Sequence, residues 1–138
     1  MQPYYHRVQY YETDRMGITH HSNYIRWFEE ARVAFLDAIG WSYATLEQQG
    51  IISPVVDVSC KFLQATTFDD VVLIQINVQK FSGVKLIFEY KIYQQETKQC
   101  VAKGTSSHCF TTKDGQILRL SQTHPQFSDV LKKLQTNK

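Results

Sequence analysis

The residues able to do chemistry cluster early in the chain. Asp14, Gly17, His20 and His21 are followed by Ser22-Asn23-Tyr24, which opens a long segment with an apolar stripe. An acid in a polar loop just before a helix is a usable combination. The helix N-terminus offers free N–H groups and the positive end of its dipole. The carboxylate offers a general base or a nucleophile. Together they suit acyl transfer, in which a carbonyl oxygen becomes an oxyanion while water or the acid attacks. The ordinary alternative for Asp14 is an aspartate that closes a turn or caps a helix. The backbone N–H of His21 is the candidate oxyanion donor. Its ring could bind substrate, shuttle a proton or hydrogen-bond within the loop. No metal is expected, because adjacent histidines seldom converge on one ion and no third ligand follows at a metal-site spacing.

These residues need a frame to hold them. Residues 4–11 read as a first strand, and 12–21 as a loop bent at Gly17. Tyr24, Trp27, Phe28, Ala31, Phe35, Ala38 and Ile39 then recur at helical spacing. Ser22 or Asn23 suits the cap, and Gly40 the residue past the end. Arg26 with Glu30, and Glu29 with Arg32, are placed to pair on the helix surface. A short second helix is expected over 41–49, closed by Gly50. Beyond it the period changes to two. Strands are expected over 56–62, 72–79, 84–92 and 100–111, with turns at Ser82-Gly83, 96–98 and 113–115. A final helix begins near Pro125. The order is strand, long helix, then four strands read as a meander. One helix can cover one face of such a sheet, so a curved antiparallel sheet wrapped round the helix is the simplest fold.

Composition fits a globular protein of one domain, with 43% hydrophobic and 20% charged residues. A net charge of +2 gives no case for nucleic acid. No apolar run is long enough to span a membrane, and no signal-peptide pattern opens the chain. Three cysteines, Cys60, Cys100 and Cys109, read as free thiols in a cytoplasmic protein.

Tyr11-Glu12-Thr13-Asp14-Arg15-Met16-Gly17, His21-Ser22-Asn23-Tyr24 and Trp27-Phe28-Glu29-Glu30-Ala31-Arg32 resemble the signature of hotdog-fold acyl-CoA thioesterases. The nearest branch is the 4-hydroxybenzoyl-CoA thioesterase-like group, which includes the thioesterases encoded beside the Tol–Pal system. Phe62 through Asp70 is similar to that family's second block. Thr19-His20 departs from it, standing where many relatives carry an apolar residue and an aromatic. The resemblance implies an α+β hotdog domain over residues 1–138, with a long central helix wrapped by a five-stranded antiparallel sheet. It implies a homodimer or homotetramer that hydrolyses an acyl-CoA or acyl-carrier-protein thioester. No cofactor is implied, since CoA is part of the substrate. It assigns catalysis to Asp14 and the His21 position. Gly17, Thr19, His20, Asn23, Tyr24 and Phe62 are the substrate-binding candidates near the reacting group. Ser82 joins them as a hairpin tip whose N–H groups could meet a phosphate, and Lys61, Lys80, Lys85 and Lys103 could do so at strand ends. Two other readings share these features: a hydratase or dehydratase on acyl thioesters, and a non-catalytic acyl-CoA-binding protein.

Overall fold

A computed structural model describes residues 2–136. Five strands form one antiparallel sheet: β1 (Tyr4–Arg7), β2 (Val55–Phe62), β3 (Val71–Phe81), β4 (Leu86–Gln94) and β5 (Cys100–His108). The long helix α1 (Ser22–Ala38) lies on one face. Short helices α2 (Tyr43–Gln48), α3 (Leu120–Thr123) and α4 (Pro125–Leu134) complete the description. The architecture is the α+β arrangement the periodicities predict.

Three details differ from the sequence reading. The first strand stops at Arg7, and Tyr10–Glu12 forms a 3-10 turn instead. The Glu12 carboxylate accepts the Gln9 N–H at 2.8 Å and so closes that turn locally. Second, neither Ser22 nor Asn23 caps α1. The cap position falls on His21, while the Asn23 amide donates backwards to the carbonyls of Glu12 and His20. Third, the four later strands are not a meander. The strand order is β1-β3-β4-β5-β2, so β2 lies at the far edge beside β5. Residues 63–70 carry the chain from that edge across the end of the sheet to β3. Strand periodicity reports which face is buried and says nothing of which strand is the neighbour.

Aromatic packing joins α1 to the sheet. The Phe28 ring stacks on Tyr90 at 4.2 Å, and Phe35 meets Phe88 edge-on at 5.5 Å. The helix comes this close because Gly104 of β5 has no side chain. A Cβ there would run into the Ser59 carbonyl oxygen and would sit 2.9 Å from the Phe28 ring. Gly104→Ala is therefore expected to destabilise the protein by about 2 kcal/mol or more. Urea unfolding would show it as a lower midpoint, and an unchanged midpoint would contradict the packing.

Arg32 also turns inward rather than pairing with Glu29. Its guanidinium donates to the hydroxyls of Tyr43 and Tyr90, at 3.0 and 3.1 Å. Glu30 instead accepts from the Tyr4 hydroxyl and lies 3.1 Å from the His6 ring. The chain of contacts from Arg32 continues through Tyr90 and Ser106 to His108 Nε2. Burial, aided by the Arg32 charge, pushes His108 down from 6.5 to about 4. The unfolded chain takes up that proton near the ordinary histidine value, whereas the native state resists it until about 4. Stability should therefore fall as the pH drops from about 6.5 to about 4, by up to about 3 kcal/mol from this residue. Urea titrations across that range should show a shallower fall for His108→Gln than for the wild type.

Candidate active site

The segment 12–21 is shaped by its own main chain. Asp14 N–H donates to the Ile18 carbonyl at 2.8 Å, and Gly17 N–H donates to the Asp14 carbonyl at 3.0 Å. Gly17 takes φ +81, a conformation side chains disfavour. This tight turn puts Asp14 at its head. One Asp14 carboxylate oxygen accepts the Met16 N–H at 2.8 Å. The other has no protein donor among the described residues. Asp14 is half-buried.

Two anchors fix this loop. The first is Glu12, which is 3% exposed. Its carboxylate accepts the Trp27 indole N–H at 2.9 Å and the Gln9 N–H, and lies 2.8 Å from His6 Nε2. Its carbonyl accepts the His20 N–H and the Asn23 side chain. Burial alone would raise the Glu12 carboxyl. The hydrogen bonds from Gln9, His6 and Trp27 outweigh that and hold it below its usual range. The second anchor is Thr66, in the connection after β2. Its carbonyl accepts the Thr19 N–H at 2.8 Å, and its hydroxyl lies 2.7 Å from Thr19 Oγ1 and 3.0 Å from the Tyr24 hydroxyl. Thr67 adds a hydrogen bond to the Gly17 carbonyl.

At the helix mouth the amides are mostly committed. His20 N–H goes to Glu12, Ser22 N–H to His20 Nδ1, Asn23 N–H to the His20 carbonyl and Tyr24 N–H to the His21 carbonyl. The His21 N–H has no protein acceptor among the described residues. That amide is available to a ligand, with the dipole of α1 behind it.

Asp14, Thr19, His21, Tyr24 and Phe62 all line one cleft of about 400 Å³, whose far wall is Leu63, Gln64 and Ala65. Phe62 presents its ring edge to Tyr24 and His21, at centroid distances of 5.2 and 6.0 Å. Gly17 shapes the turn, and Asn23 braces the loop from behind. His20 is exposed, stacked on the His21 ring at 4.3 Å. Ser82 lies at the opposite end of β3 and does not meet the cleft within one chain. Its hydroxyl accepts the Lys85 N–H and so stabilises its own hairpin. Lys61 and Lys103 are cross-strand partners in β2 and β5. The sequence reading missed Glu12 and Thr66. Glu12 lay inside the signature, but only its contacts reveal its role. Among the described residues no group of three His, Cys, Asp or Glu could hold a metal ion. No helix among them is long and apolar enough to cross a membrane.

A long helix seated in a curved five-stranded antiparallel sheet is the hotdog arrangement. The comparisons agree. The thioesterase-like superfamily matches residues 8–134, and the chain belongs to it. It is a thioester hydrolase. The DHNA-CoA thioesterase of Staphylococcus aureus superposes with a TM-score of 0.91 at 30% identity, over 96% of this chain and 89% of that one. A hypothetical protein from Aquifex aeolicus gives 0.84 at 34% identity, over 96% and 98%. The acyl-CoA thioesterase YbgC of Haemophilus influenzae is 29% identical over 62% of this chain and 64% of its own.

Glu12→Gln puts an amide among three donors. It is expected to cost about 3 kcal/mol of stability at neutral pH. The wild-type carboxylate sits low in the fold, so its contribution is present above the ordinary carboxylate range and is lost as the pH falls through its folded value. The gap between wild type and variant should therefore close in acid. A gap that stays constant from neutral pH to acid would show that the network is not what holds the loop.

Proposed function

We propose that this chain hydrolyses acyl-CoA thioesters, with Asp14 as the acid that activates the attack and the His21 N–H as the oxyanion donor. The observation that carries this is that Asp14 and His21 line one cleft, where, among the described residues, one Asp14 oxygen has no protein donor and the His21 N–H no protein acceptor. In the general-base route Asp14 takes a proton from water, and the water oxygen bonds to the thioester carbon. The carbonyl electron pair moves onto oxygen and is met by the His21 N–H. Its return expels the CoA thiolate, which takes up a proton to leave free acid and thiol. In the nucleophilic route an Asp14 oxygen attacks instead, the thiolate leaves, and water cleaves the resulting anhydride. Both need a carboxylate at Asp14 and neither needs a cofactor or a metal.

Thr19, Tyr24 and Phe62 bound the acyl group in this reading, with Gly17 allowing the thioester close to the main chain. An acyl-carrier-protein thioester would present the same reacting atoms. The relatives' names, DHNA-CoA thioesterase and acyl-CoA thioesterase, support CoA as the carrier. A cytosolic setting suits the three free cysteines. The active form in this reading is a homodimer or larger homo-oligomer. Strand β2 is an edge strand with Val55, Val56, Val58 and Phe62 between 41% and 58% exposed, an apolar edge that a second copy would cover.

The test is thiol release from a panel of short, long and aromatic acyl-CoAs. Asp14→Asn is expected to lower kcat by about hundredfold or more. His21→Ala should retain much of the activity, because the oxyanion role belongs to the main chain. Full activity in Asp14→Asn, or no hydrolysis of any member of the panel, would overturn the reading.

A further inference from the structure

A second cleft, of about 460 Å³, opens between α1 and β2, and its lining includes Ile25, Phe28, Glu29, Arg32, Val58 and Ser106. Arg32 is 7% exposed there, a nearly buried cation. Its hydrogen bonds among the described residues go to the hydroxyls of Tyr43 and Tyr90. A guanidinium has five N–H groups, so three of them find no protein acceptor among the described residues. No Asp or Glu carboxylate among those residues lies within 4 Å of it. Glu29 lines the same cleft without reaching that distance, and Arg26 adds a second positive charge at its edge. A guanidinium does not neutralise itself by losing a proton, so burial without a counter-charge is costly. A planar fork with free N–H groups at the wall of an apolar cleft suits one ligand group best, a carboxylate.

The two clefts share a helix stripe. His21, the cap of α1, and Ile25, Phe28 and Arg32 within it fall at i, i+4, i+7 and i+11. Both clefts are also walled by β2, through Phe62 at one end and Val58 and Val55 at the other. From His21 to Arg32 the axis advances about 16 Å. The cleft of Asp14 and the cleft of Arg32 thus lie in line along the trough between α1 and β2, and Arg32 has no carboxylate partner among the described residues.

We propose that this trough receives the acyl group and that Arg32 binds a carboxylate at its far end, so that the substrates are ω-carboxyacyl thioesters. The proposal rests on the thioesterase reading above. Arg32 acts there as a specificity residue, remote from the reacting atoms.

The experiment compares ω-carboxyacyl-CoAs of increasing length with their ω-methyl counterparts. Wild type should favour the carboxyl member at a matched length by about tenfold or more in kcat/KM, carried mainly by KM, as expected for a charge-assisted hydrogen bond. Arg32→Met should collapse that ratio, and Arg32→Lys should restore part of it. A structural role alone would lower both series together and leave the ratio unchanged, which would overturn the proposal. So would a wild-type preference for methyl ends at every length, or a second copy of the chain supplying the carboxylate at Arg32. Should Arg32→Met fail to fold, free α,ω-dicarboxylates tested as competitive inhibitors of the wild type give the answer without a variant. Inhibition that strengthens towards a matched length supports the site, and none at any length overturns it. Calorimetric titration with those dicarboxylates needs no turnover. Binding lost in Arg32→Met, in a protein that hydrolyses nothing, would therefore sink the thioesterase reading and keep the anion site.

Discussion

The buried carboxylate of Glu12 is the interaction on which the site depends. It gathers β1 through His6, the 3-10 turn through the Gln9 amide, and α1 through the Trp27 indole. Its carbonyl takes two more donors from the helix mouth. The chain thereby reaches Asp14 from a fixed point and leaves His20 towards α1 from the same fixed point. A buried carboxylate is tolerable only because every approach to it is a donor. The acid two residues on differs in kind. Asp14 accepts one amide, from Met16, and its other oxygen has no protein donor among the described residues. Two carboxylates so close in sequence thus have opposite surroundings, one saturated with donors and one with an oxygen to spare.

The second constraint is steric. Phe28 settles over Gly104 and against Tyr90, which sets how deeply α1 sits in the sheet. That depth brings the stripe from His21 to Arg32 alongside β2, with one cleft at each end of it. It also buries Arg32 under the tyrosines and forces its charge to be answered by hydroxyls. Helix packing and the burial of Arg32 follow from one missing side chain.

Much of this was legible in the sequence. The apolar spacing gave α1, the alternation gave the strands, and the signature from Tyr11 to Arg32 pointed to Asp14 and His21 at a helix mouth. What was not legible depends on distant partners. Nothing local in residues 55–62 tells that they pair with β5 rather than β3. Arg32 read as half of a surface pair with Glu29, because a charged residue on a helix is usually solvated. Its place on the His21–Phe28 stripe becomes meaningful only once β2 is known to lie alongside. Thr66 lay inside the block from Phe62 to Asp70, but nothing local singled it out, and its role comes from its contacts with Thr19 and Tyr24. Ser82 showed the opposite failing, since a good turn residue carries no information about which end of the sheet it occupies.

The connection from β2 to β3 separates two duties that enzymes often combine. Its Thr66 and Thr67 tie down the loop of residues 12–21, while Leu63, Gln64 and Ala65 line the cleft. The same division runs through the opposite wall, where Glu12 and Asn23 brace and Met16 and Ile18 face the cavity. Substitutions at the facing positions can redraw the pocket without touching a bracing hydrogen bond. Substrate range can therefore drift along two short segments while the framework and the acid stay put. A fold organised this way is well suited to serving many acyl groups with one reaction.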